Sequence, residues 1–117
     1  MSSVLFIATV GCVVANVLIA VADYARVPFV LANSAEVGLP PATVPYLATL
    51  KLAGAAGLLF GLSGNRWLGL AAAVGLTAFF VGAVLAHLRA RVFHNIAFPG
   101  GFLLLAVAAT VYFAGGR

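Results

Sequence analysis

Acidic residues are almost missing from this chain. Asp23 and Glu36 are the whole supply among 117 residues, and charged residues of both signs make up only 7%. A soluble domain carries roughly 25% charged residues, so this composition excludes a water-covered surface and points to lipid. Cys12 is the only cysteine, which excludes an intrachain disulfide and the paired thiols of a dithiol redox enzyme and leaves Cys12 as a small apolar filler. Basic runs are missing too. The six Lys and Arg are scattered, and the net charge of +4 suits anionic lipid head groups and topology control, not nucleic acid. There is no serine-nucleophile motif, and no glycine-rich phosphate loop follows a strand.

What the chain does have is apolar length, with 65% of its residues hydrophobic. Four runs, at about residues 4–22, 43–62, 67–88 and 96–114, are each interrupted by few or no charges. A helix of about 20 residues rises ~30 Å, one hydrocarbon thickness. The expected fold is therefore all-α, an integral membrane up-down four-helix bundle, with residues 1–117 as one transmembrane domain. The N-terminal residues lack the basic start of a signal peptide, so the first run reads as a retained helix.

The connections place the polar residues. Asp23, Tyr24 and Arg26 end the first run, and Val27 to Pro41 form the longest connection, with room for a short interfacial helix around Phe29 to Ala35 and the length of a lid or wall over a site. Ser63-Gly64-Asn65-Arg66 is a tight turn, and His87-Leu-Arg-Ala-Arg-Val-Phe-His-Asn95 separates the last two runs. Crossing and returning puts Asp23, Arg26, Glu36, His87, Arg89, Arg91, His94 and Asn95 on one membrane face. The other face holds little beyond Asn65, Arg66 and Arg117, and three arginines against two favour a cytoplasmic polar face.

Lys51 lies deep in the second run, where an unpaired lysine costs ~2.5–3.5 kcal/mol. It reads as a proton relay, a counter-ion for an anionic ligand or a Schiff-base amine, against a structural ion pair with Asp23 or Glu36. If the third helix runs on, His87, Arg91 and His94 share a face at i, i+4 and i+7. Acid-base or hydrogen-bonding work by His87 or His94 is the functional reading, and an interfacial polar cap is the plain one. No metal is expected, because no histidine pair has ligand spacing and three arginines would repel a cation. A single-histidine haem site is disfavoured by the size of the chain. Arg89 and Arg91 read as topology anchors or as partners of Asp23 and Glu36, and Asn95 reads as a cap on the last helix. Gly54, Gly57, Gly61 and Gly64 suit close packing, within the bundle or between copies in a homo-oligomer.

The segments Tyr46 to Gly61 and Val84 to Pro99 resemble the DoxX-like family of small bacterial membrane proteins, most specifically through Lys51-Leu-Ala-Gly54 and His87-Leu-Arg-Ala-Arg91. The resemblance covers nearly the whole chain. It implies the four-helix membrane fold in a bacterial inner membrane, a quinone or other lipophilic partner, and Lys51, His87 and Arg89 as the positions to watch.

The functional expectation is a pocket for a lipophilic small molecule at one membrane face. Asp23, His87, Glu36 and His94 are its candidate catalytic groups, and Lys51, Arg89, Arg91, Asn95 and Tyr46 its candidate ligand contacts. As a redox accessory, the chain would hold a quinone-like molecule while a partner protein supplies electrons. As an enzyme, it would isomerise, cyclise or open an epoxide by acid-base chemistry. A small transporter or structural oligomer is the third reading.

Overall fold

The computed structural model describes residues 2–116 and is built from helices. Helix α1 covers Ser2–Tyr24, α2 Pro28–Glu36, α3 Val44–Leu62, α4 Arg66–Arg89 and α5 Ala97–Val111. A 3-10 turn at Pro41–Thr43 leads into α3, and wider turns at Tyr112–Gly116 close the chain. The long helices α1, α3, α4 and α5 carry the segments long and apolar enough to cross a membrane. They form a closed ring in which α1 packs on α3, α3 on α4, α4 on α5 and α5 back on α1. The long axis of the molecule measures 38 Å, enough for the ~30 Å hydrocarbon layer and part of each interface. Arg117, counted above with the far face, lies outside the described residues.

Local chemistry sets the ends of these helices. Pro28 and Pro45 sit in the first turns of α2 and α3, and Pro99 in the first turn of α5, where a missing N–H removes no helical bond. Asn65 caps α4 by accepting from the Leu68 amide at 3.2 Å. The end of α4 is sharper than an uninterrupted reading of residues 87–94 implies. The helix stops at Arg89 and the backbone turns at Arg91, whose φ is +57°. His87 and His94 therefore do not share a helical face, and His87 is buried while His94 is exposed.

The glycines of α3 face α4. A Cβ built on Gly61 would lie 2.5 Å from the Gly69 Cα and 2.7 Å from the Phe113 ring, and one on Gly57 would lie 2.5 Å from the Ala72 Cβ. Helix association in lipid rests on such close backbone approach, and here it serves the bundle interior. Arg66 ties off the same end. Its Nε donates to the Phe113 carbonyl at 2.7 Å and a terminal nitrogen to the Ala114 carbonyl at 3.1 Å, while the guanidinium lies 5.1 Å from the Trp67 ring centre.

The outer surface is apolar, with Val4, Ile7, Leu18, Leu59, Phe60 and Leu104 each more than half exposed, as a lipid-facing surface requires. Inside, Thr9, Thr77 and Thr110 each donate to the carbonyl four residues earlier. Asn16 donates its amide to the Cys12 carbonyl at 2.8 Å, and its side-chain oxygen is buried without a hydrogen-bond partner among the described residues.

Candidate functional site

Helix α1 ends with its polar residues turned toward α3. Lys51 stands seven residues past the start of α3, ~10 Å along the axis, and its ammonium reaches the Asp23 carboxyl at 2.8 Å. Both side chains are withdrawn from the surface, with Asp23 only 3% exposed. The same crossing is held nearby by hydroxyls. Thr49 donates its hydrogen to the Pro45 carbonyl at 2.9 Å, which leaves the Tyr24 hydroxyl as the donor in its 2.6 Å contact with Thr49. Lys51 also lies 5.7 Å from the centre of the Phe79 ring, a cation–π distance.

The ion pair opens into a cavity of about 140 Å³. Asp23 and Lys51 line it with His87, Asn33 and Ser34 as its other polar residues, and the remaining wall is aliphatic or aromatic. Five phenylalanines contribute: Phe29 from α2, Phe79 and Phe80 from α4, and Phe98 and Phe102 from α5. Phe80 and Phe102 pack with ring centres 5.1 Å apart, and Phe29 meets Phe98 at 6.0 Å. An engineered apolar cavity of ~150 Å³ holds a benzene ring, so this space matches one six-membered ring.

His87 is held from below. Its Nδ1 lies 2.9 Å from the Ala83 carbonyl, which can only accept, so in the neutral ring Nδ1 carries the hydrogen and Nε2 presents a lone pair. Nε2 has no protein partner among the described residues.

Helix α2 forms one wall. It is anchored in the bundle by Val30, which is buried, and the wall continues through Val37 and Leu39. Two polar contacts join α2 to the connection between α4 and α5: the Asn95 amide donates to the Asn33 side-chain oxygen, and His94 Nε2 lies 3.3 Å from a Glu36 carboxyl oxygen. The flanking backbone turns sharply at Arg26, with φ +54°, and at Gly38, with φ +85°.

The structure thus divides the residues singled out from the sequence. Asp23, Lys51 and His87 line the cavity. Glu36 and His94 pair with each other on the exposed outer side of the α2 wall. Asn95 does not cap α5, whose N-cap is Ile96 without a side-chain bond; its amide serves Asn33 instead. Arg89 and Arg91 are exposed and line no part of the cavity. Tyr46 is 73% exposed on the outside of α3, one position before the cavity-lining Leu47. Sequence reasoning did not single out Asn33, Ser34 or the phenylalanines. The Asn-Ser pair inside an otherwise apolar α2 was the available signal for the first two. Among the described residues, no three of His, Cys, Asp and Glu come together as a metal site.

No curated protein and no solved structure matches the chain. The model of the DoxX-like family matches residues 7–109, nearly the whole of the bundle, and with four helices fit to span a bilayer the chain belongs to that family as an integral membrane protein.

Proposed function

We propose that this protein binds a lipophilic small molecule from the bilayer, seating a single-ring polar head in the cavity beneath α2, as a quinone-linked redox accessory of a bacterial inner membrane. The observation that carries the reading is a charged pair and a histidine opening into a cavity otherwise walled by phenylalanine and aliphatic side chains. Ligand sites are mostly apolar with a few converging polar groups, and an ionisable residue inside a membrane marks a functional site by default. The aromatic walls suit a flat ring, and the Lys51 ammonium has donors beyond the one given to Asp23. With Cys12 as the only thiol, the electrons of a redox cycle come from a partner protein, and the chain's part is to hold and position the lipophile.

The test is mass spectrometry of protein extracted into nanodiscs, together with titration of a short-chain quinone and of its quinol. A co-purifying ring-headed lipophile and saturable binding of at least one form of the couple are expected. Both should be lost in the paired variant Asp23→Asn/Lys51→Met, which removes the charges without orphaning one. Unchanged binding in that variant, or no binding by the wild type, would overturn the reading.

A further inference from the structure

We infer that the head group held in this cavity is a hydroxylated ring, of the phenol or enol class, whose O–H donates to Nε2 of His87. The inference rests on the binding role proposed above and narrows it to ligands that carry a hydrogen-bond donor.

The Ala83 carbonyl sets the first condition. Because that oxygen only accepts, it takes the Nδ1 hydrogen of His87 at 2.9 Å and leaves the other ring nitrogen as an acceptor. His87 is 8% exposed and lines the cavity, and Nε2 meets no donor among the described residues. A ligand that covers Nε2 without supplying a donor buries an unpaired acceptor, which is unfavourable, so a ligand that supplies the donor is favoured over one that does not. The other polar groups do not fill this role from the protein side. Lys51 is turned to Asp23 at 2.8 Å, and Asn33 accepts from Asn95 on the α2 side.

Size sets the second condition. A space of about 140 Å³ admits one six-membered ring, and Phe80 and Phe102 give it an aromatic wall. A ring lacking the hydroxyl hydrogen would fit the walls equally well and leave Nε2 unpaired. The cavity therefore discriminates by one hydrogen atom on the ligand oxygen. A membrane-dissolved molecule satisfies both conditions when it presents a ring hydroxyl at one end and an apolar tail at the other. A carbonyl at the same position, being an acceptor, meets the lone pair of Nε2 unfavourably, so within a quinone–quinol couple the quinol, which carries the ring hydroxyl, is the form held more tightly.

The experiment compares three probes of nearly equal ring size on the full chain in nanodiscs, each referred to its partition into empty nanodiscs. They are 4-hexylphenol, its methyl ether 4-hexylanisole, and 1-hexyl-4-fluorobenzene. The phenol has the donor, the ether keeps only an acceptor oxygen, and the fluoro compound has no donor and little added bulk. Binding of the phenol about tenfold or more tighter than both others is expected. In His87→Leu the preference should collapse to within about twofold, with binding of the fluoro compound retained. Equal binding of all three to the wild type would overturn the hydroxyl assignment while leaving the lipophile site standing. Failure of all three to bind would overturn the site and the assignment together. A phenol preference that survives in His87→Leu would move the donor's partner away from Nε2 and overturn the inference. If that variant does not fold, equal binding of the three probes to the wild type still overturns the hydroxyl assignment.

Discussion

The two ends of the bundle are built on opposite plans. At the end that holds Arg66, α3 and α4 approach until Gly61 and Gly69 meet backbone to backbone, with the Phe113 ring closing the gap and Arg66 binding the carbonyls of Phe113 and Ala114. At the other end the same two helices contribute Leu47, Lys51, Phe79 and His87 to the rim of a cavity, and α2 completes the wall. Small residues give one end its closure, and large rings with one ion pair hold the other open. A membrane bundle cannot rely on expelling water between its helices, so van der Waals fit and polar contacts carry the difference.

The largest break in that comparison should come from Lys51→Met, which leaves Asp23 buried without its counter-charge. A loss of about 3–5 kcal/mol is expected in reversible unfolding from detergent micelles, with most of it restored in Asp23→Asn/Lys51→Met. Gly61→Val at the closed end should cost about 1–3 kcal/mol or more in the same assay, because the Gly69 backbone and the Phe113 ring have to move. Gly101, on α5 beside the open end, has nothing within 4 Å of an added Cβ, so Gly101→Ala should stabilise by about 0.5–1 kcal/mol. Equal effects of Gly61→Val and Gly101→Ala would remove the distinction between the ends. The smallest change in stability, under about 1 kcal/mol, is expected for Glu36→Gln, since its pairing with His94 is exposed. Its readout is kinetic. Release of a bound lipophile should quicken severalfold by stopped-flow fluorescence, because one of the two polar contacts fastening α2 is weakened by loss of its charge.

Much of the architecture was legible in the sequence because lipid imposes length: runs near 20 apolar residues have one economical conformation. The turns were legible for a local reason, as Pro28, Pro45 and Asn65 carry their own instructions. Facing was not. A helix surrounded by lipid is apolar on all sides, so periodicity does not separate the side toward the bundle from the side toward the bilayer. Tyr46 and Leu47 illustrate this: adjacent in sequence, one is on the outer surface and the other lines the cavity. Charged positions escape the ambiguity, since Asp23 and Lys51 had to turn toward each other or toward water. Asn33 was hidden for a different reason. Its partner, Asn95, lies 62 positions away along the chain, and nothing local in either segment specifies that pairing.

Lys51 also bears on how the chain enters the bilayer in the first place. Of the four spanning segments, the one that includes α3 is the least apolar, and a lysine two turns into that helix makes solitary insertion expensive. Asp23, delivered earlier at the end of α1, is the counter-charge within its reach. Insertion of α3 is least costly alongside α1, as a helical hairpin already joined by the Asp23–Lys51 contact. The charges that open into the cavity thus also lower the cost of placing α3 in the bilayer beside α1.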